Sequence, residues 1–327
     1  RVEDIDKTPS RLDKVPEDEE RAKRLQACEL ARALTREMLD GAVAEEDTSS
    51  TVQVLASYLI QLLYMHQSLR QVRPQEAAVA AAFLACKVAD VRAGCRRAKD
   101  VLRAFVQQEL KTSQREVLQE EQKDLLTRML KIEFLMLRII EFNFDVLVPL
   151  TLVDLRALQE KNVDAGHIAG VDDMHRSIKV DVLVDKLINQ LAKNETFRSR
   201  CASRNPLEEA QSLRKRLLVF SRGFILDAFM GMGAVVVSPR EVAAGALVMA
   251  VKYCRRDMNI GEVGKLLIAE DPELTQEHLE LAFEEILKVY RLQKKKDEGK
   301  AAGAQQAAGS LSKKRPAPST AGGGAEK

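Results

Sequence analysis

The chain reads as an all-α protein: two tandem copies of one five-helix domain, preceded by an N-terminal arm and followed by a disordered basic tail. Three observations predict this. The first is a repeat. Residues 74–87 read PQEAAVAAAFLACK and residues 239–252 read PREVAAGALVMAVK, aligned without a gap at Pro74/Pro239, Glu76/Glu241, Ala78/Ala243, Ala81/Ala246, Ala85/Ala250 and Lys87/Lys252. A repeat of this kind sets the architecture before any local reading does. The second is apolar spacing of the helical kind in segment after segment. The third is composition: 327 residues suit two domains, and 4% aromatics with no Trp beside 31% charged residues suit cores filled by Leu and Ala.

In the repeated stretch, Pro74 suits the first position of a helix because its missing N–H would be unpaired there anyway. Glu76 follows in the first turn, where the helix dipole favours an anion. The run of Ala, Val, Phe, Leu and Cys that follows has no polar face, which marks a buried helix. Lys87 then places a charge at the rim of a core.

Taken in order, residues 1–16 hold Pro9 and Pro16 and are expected to form an extended or turning arm. Residues 17–148 form the first copy. A helix over 17–39 starts on Glu17, Asp18, Glu19 and Glu20, continues through Leu25, Cys28, Leu30, Ala31 and Leu34, and stops at Gly41. Thr48, Ser49 and Ser50 offer N-caps for the next helix, whose apolar face runs Val54, Leu55, Tyr58, Leu59, Leu62 and Leu63. After the 74–87 helix, a short amphipathic helix carries Val101, Leu102, Phe105 and Val106. The Gln/Glu-rich residues 107–121 read as a solvated connection, and 122–141 as a strongly apolar helix closed by Phe142-Asn143-Phe144 and Pro149.

The second copy spans 149–292. A short helix covers 150–159. Residues 161–205 do not fit the repeat and read as an insertion, partly helical and partly mobile. Helices follow over 206–229, 239–252, 260–268 and 275–292. Thr275 is a weak capping start, because Glu277 stands one place early for a capping box. From 293 to 327 Lys, Ala, Gly, Ser and Pro take over, a composition that cannot bury enough surface to order itself. Lys294-Lys295-Lys296 and Ser312-Lys313-Lys314-Arg315-Pro316 are basic clusters of the nuclear-import type.

Net charge is only +2, so no global basic field points to nucleic acid. Cys28, Cys86, Cys95, Cys201 and Cys254 are odd in number and widely spaced, which reads as reduced thiols inside a cell. No apolar run approaches a membrane span, and no signal-peptide pattern opens the chain. It begins at Arg1 rather than Met, which reads as a trimmed terminus. Among His66, His167, His175 and His278, none pairs with Cys or a carboxylate at metal spacing. Asp172-Asp173 lacks a second acidic motif, and Gly231-Met232-Gly233 lacks the Lys-Ser/Thr of a phosphate loop. No catalytic residue, metal or cofactor is therefore expected. The chain reads as a helical scaffold that binds.

The binding surface is sought where charge meets apolar helix. Lys87 ends one such helix and Glu133 lies inside another; both are expensive there unless paired. Together they could grip a backbone carbonyl and a backbone N–H of a partner loop, with Val88, Leu137, Phe142 and Phe144 supplying apolar area. Equally, they could form an internal bridge that only caps the core.

At these residues the chain resembles a cyclin of the transcription-associated group, nearest the cyclin K branch, with the T and L branches next. Thr8-Pro9-Ser10-Arg11-Leu12-Asp13 is similar to that group's arm. His66-Gln67-Ser68-Leu69-Arg70-Gln71 and Phe83-Leu84-Ala85-Cys86-Lys87-Val88-Ala89-Asp90 resemble its third-helix region, and Ile132-Glu133 with Leu137, Ile140 and Phe142-Asn143-Phe144 its fifth helix. Ala89 stands where the family has its first acidic residue after the Lys, and Asp90 for the second. The likeness covers about residues 5–160 well and 206–292 more weakly. It implies two cyclin boxes and a regulatory, non-enzymatic subunit that activates a cyclin-dependent kinase in the nucleus. Lys87, Glu133, Val88, Leu137, Phe142 and Phe144 would then contact the loop before the kinase αC helix. Other transcription proteins are possible partners; membrane and direct nucleic-acid contact are not expected. The alternative is a cyclin-box factor resembling transcription factor IIB, binding DNA and protein, for which the Arg-rich residues 196–222 are the only support.

Overall fold

A computed structural model describes residues 7–39, 46–89, 97–143, 206–254, 259–270 and 274–312. Every regular element among them is a helix: α1 (Pro9–Leu12), α2 (Glu17–Leu39), α3 (Glu46–His66), α4 (Pro74–Val88), α5 (Ala98–Ser113), α6 (Gln119–Ile139), α7 (Pro206–Ala228), α8 (Gly233–Val236), α9 (Pro239–Cys254), α10 (Ile260–Glu270) and α11 (Gln276–Ser312). The helix expected over 150–159 and the insertion at 161–205 lie outside the described residues. Contacts divide the chain into two units, Arg1–Val289 and Tyr290–Lys327. Both halves of the repeat fall in the first.

Helix α4 is the hub of the first copy and packs against α2, α3, α5 and α6. Residues Ala77 to Cys86 are all buried. The small side chains let four neighbours approach one helix, which a Leu-rich hub would not allow. In the second copy α9 holds the same place, packed by α7, α8 and α10. Gly245 of α9 meets α11 so closely that a Cβ there would lie 2.8 Å from the Cβ of Ala282.

Both repeat helices begin alike. Glu76 Oε2 accepts from the Arg73 N–H at 3.1 Å, and Glu241 Oε2 from the Ser238 N–H at 2.8 Å. Ser238 Oγ accepts from the Glu241 N–H at 3.3 Å, completing a reciprocal capping box. Each glutamate is also tied to the last helix of its copy: Arg128 Nη1 lies 3.0 Å from Glu76, and His278 Nδ1 lies 3.1 Å from Glu241. The match therefore extends from the repeated helix to its neighbour.

Polar side chains tie the arm and α2 to α3 within the first copy, and the first copy to the second. Thr8 Oγ1 donates to Glu20 at 2.9 Å; Glu20 pairs with Arg24 at 2.6 Å; Arg24 donates to the Tyr64 carbonyl at 2.7 Å. Gln61 Nε2 donates to the Met230 carbonyl at 2.8 Å. Arg21, held by Glu17, reaches Glu285 of α11 at 3.1 Å, and Arg32 reaches Asp227 of α7 at 3.0 Å. Next to Met230, Gly231 and Gly233 pack against α11 within the second copy: a Cβ at either would lie under 3 Å from Val289 or Glu285 side-chain atoms. These glycines serve close packing.

Several boundaries differ from the expected ones. The arm makes a helical turn over Pro9–Leu12, because Thr8 caps the Arg11 N–H at 3.3 Å and Pro9 suits a first position. Helix α3 begins at Glu46, so Thr48, Ser49 and Ser50 lie inside it rather than capping it. Helix α5 runs to Ser113, since Gln, Glu, Leu and Lys at 107–111 are good helix formers on a solvated face. Its end is set by Gln114 in the left-handed region (φ 51°). Thr275 does cap α11, accepting from the His278 N–H at 3.2 Å without help from Glu277. That helix, expected to close at 292, continues to Ser312 through Lys, Glu, Ala and Gln, which favour helix even without an apolar stripe. Residues 313–327 lie outside the described residues.

Candidate functional site

The site is built where α4 ends beside α6. Lys87 Nζ lies 2.6 Å from Glu133 Oε1 and 4.0 Å from the centre of the Phe83 ring. The Lys87 side chain is 40% exposed and that of Glu133 only 9%. One donor of the ammonium is committed to the bridge, leaving others to a partner acceptor. The pair thus caps the core and faces outward at once, joining the two roles that the spacing had left open.

Helix α6 has two apolar stripes. Leu125, Met129, Ile132 and Met136 are buried and face the core. Leu130, Phe134 and Leu137 form the second, with Leu130 46% and Phe134 57% exposed. Glu133 lies between the stripes. The α6 end extends the outward stripe: the Phe142 N–H donates to the Leu137 carbonyl at 2.8 Å and Glu141 N–H to Arg138 at 3.0 Å. This closure is of the kind that usually uses glycine. Here Glu141 (φ 54°) and Phe142 (φ 56°) take the left-handed region instead, at a cost of about 1–3 kcal/mol each. The strained turn brings the Phe142 ring, 53% exposed, edge-on to Phe134 at 6.1 Å. An edge-to-face pair contributes ~0.5–1.5 kcal/mol, too little to offset that strain and the exposure of two phenyl rings. An exposed apolar cluster of this sort marks a contact surface.

Of the expected site residues, Lys87 and Glu133 meet directly, Val88 and Leu137 are half-buried beside them in sequence, and Phe142 is exposed. Phe144 lies outside the described residues. Leu130 and Phe134 were missed. Their signal is in the sequence: α6 has more apolar positions than one core-facing stripe can use.

The described residues hold no group of three His, Cys, Asp or Glu placed to bind a metal, and no helix long and apolar enough to cross a membrane. Cys28, Cys86 and Cys254 are not joined in disulfides. Burial pushes the Cys28 thiol up to about 12, against opposing bonds from Gln61 and to Ser57, so it is a poor nucleophile. Comparison with protein-family models finds no match, and comparison with curated proteins finds no relative.

Proposed function

We propose that this chain is a regulatory subunit of the cyclin kind, which binds a cyclin-dependent kinase, a transcription-associated one, and activates it by holding its αC helix in the active position. One observation carries the reading: a Lys87–Glu133 bridge with an exposed lysine and a buried carboxylate, set beside an outward stripe of Leu130, Phe134 and Phe142. An apolar centre supplies binding energy and a charge pair fixes register. The cyclin-like motifs around Lys87, Glu133 and Phe142 and the duplicated helical domain support the same reading.

A kinase transfers phosphate efficiently only when its own Lys–Glu pair is formed between strand and αC helix. A rigid helical wall can favour that state only by binding it more tightly than the inactive one. To move the equilibrium from mostly inactive to mostly active, the preference must reach about 5.5 kcal/mol. The scaffold then has no catalytic residue of its own. The basic clusters at Lys294-Lys295-Lys296 and Lys313-Lys314-Arg315 support action in the nucleus.

The test is co-purification. Wild-type chain is expected to retain a kinase, and the Lys87→Ala/Glu133→Ala double variant to lose it while its circular dichroism is unchanged. Retention of the kinase by the double variant overturns the site. Retention of DNA alone by wild type overturns the function.

A further inference from the structure

A second exposed patch lies on the other copy. The ring centres of Phe220 on α7 and Tyr253 on α9 are 4.6 Å apart, tilted by 49°. Beside them Val219 is 67% and Tyr253 58% exposed. Lys215 and Arg216 stand one turn before Val219 and Phe220 on the same faces of α7, and both are exposed. Lys252 adjoins Tyr253 and lies 5.6 Å over the Phe283 ring. Arg216 is close enough to Cys254 for its charge to oppose the upward push of burial on that thiol, which places this cation at the α9 end of the patch.

On the two helices that carry the patch, the described charges beside it are positive; the exposed carboxylates of Glu280 and Glu284 belong to α11. Between Gln211 and Phe229 the sole carboxylate is Asp227, and it is engaged by Arg32. On α9 the sole carboxylate is Glu241, held at the opposite end by Ser238 and His278. Exposed apolar area flanked by cations, with no carboxylate beside it among the described side chains of α7 and α9, asks for a partner that brings both apolar anchors and negative charge.

We infer that the face formed by Lys215, Arg216, Val219, Phe220, Lys252 and Tyr253 is a docking site for an acidic peptide segment carrying aromatic or aliphatic anchors. The apolar side chains bind the anchors and the cations steer and orient the acidic backbone of the motif. A nucleic acid fits less well. Stacking needs open ring faces, whereas Phe220 and Tyr253 cover one another and the most exposed side chain is the aliphatic Val219. This docking site is separate from the kinase surface of the first copy and does not rest on it.

The experiment is selection of a random short-peptide display library on the full chain, followed by fluorescence anisotropy with the leading peptide. Enriched peptides are expected to be acidic, with apolar residues at regular spacing. Val219→Asp and, separately, Lys215→Glu/Arg216→Glu are each expected to weaken the leading peptide at least tenfold. The altered side chains are exposed, so melting temperature should hold; Lys87→Ala/Glu133→Ala should leave peptide affinity unchanged. Enrichment of neutral or basic peptides, no enrichment at all, or variants without effect overturn the inference. So does a single-stranded oligonucleotide that displaces the peptide at the same salt concentration, which reassigns the face to nucleic acid.

Discussion

The two copies agree at one end of their central helices and diverge at the other. At the start, Glu76 and Glu241 cap their own helix and meet a side chain of the copy's last helix, Arg128 in one and His278 in the other. That pairing sets the register between the two last helices. Buried Met129, Ile132 and Met136 of α6 then match buried Leu279, Ala282 and Ile286 of α11. In the same register Glu133 of the first copy matches Phe283 of the second. Lys87 lies on a carboxylate, and Lys252 lies over a ring. Further out, exposed Leu130 and Phe134 match exposed Glu280 and Glu284. Core positions kept apolar character while surface positions went opposite ways. A surface needs no Phe to stay folded, as the glutamates of the second copy demonstrate. The apolar face of the first copy therefore has a reason outside the fold.

The largest effect is expected at the seam between copies. Arg21→Ala removes the guanidinium that reaches the buried Glu285 carboxylate from α2 and leaves it only Lys288 of its own helix. Removing one partner of a buried pair costs roughly 3–5 kcal/mol when the charge is left alone; with Lys288 still in reach the loss is expected toward the lower end, about 3 kcal/mol, read as a lower denaturant midpoint. The Lys87→Ala/Glu133→Ala change is expected to cost clearly less, because it removes both charges together and leaves no buried carboxylate alone. Equal losses at both places break the distinction between a structural pair and an outward one.

Next comes the exchange of surfaces. Leu130→Glu/Phe134→Glu gives α6 the outward residues of α11. Kinase capture, measured by surface plasmon resonance, should weaken by about 2 kcal/mol or more, at least roughly thirtyfold. Thermal stability should hold or rise slightly, since two exposed apolar groups are removed. A variant that keeps its affinity shows that the exposed stripe is not the contact face.

These contrasts also show what was legible in the chain. The repeat gave up its register directly, because Pro, Glu and Lys mark the helix start and end while Ala marks the buried middle. Lys87 and Glu133 could be paired because charges on apolar helices need partners. Leu130 and Phe134 were hidden by the same logic: an apolar residue beside a core stripe reads as more core until solvent exposure is seen. The arm's helical turn was hidden by its prolines, which break helices inside but open them at a first position. Arg21 and Glu285 are 264 residues apart, and no local pattern links them. Within its own helix Arg21 looks like any other cation following an acidic turn.

The smallest effect sharpens the shared end. Burial would raise the Glu76 carboxyl, but Arg73 and Arg128 outweigh it and hold the group below its ordinary 4.5. A carboxylate depressed in the folded state stabilises fully above its unfolded value, and that contribution is lost as pH falls through the folded one. Glu76→Gln keeps an acceptor for the Arg73 N–H and removes only the charge. It should lower stability at neutral pH by about 1 kcal/mol, and the gap from wild type should close as pH falls below 4.5. Glu17, also depressed through its bond to Arg21, remains in both proteins and keeps some acid sensitivity in the variant. Glu241→Gln should cost less, since its side chain is more exposed than that of Glu76 and its partner His278 is a cation only when protonated. Denaturant midpoints across the acid range measure both. An unclosed gap for Glu76→Gln shows that the side chain acts there through shape, and the likeness between the two helix starts is then one of caps without charge.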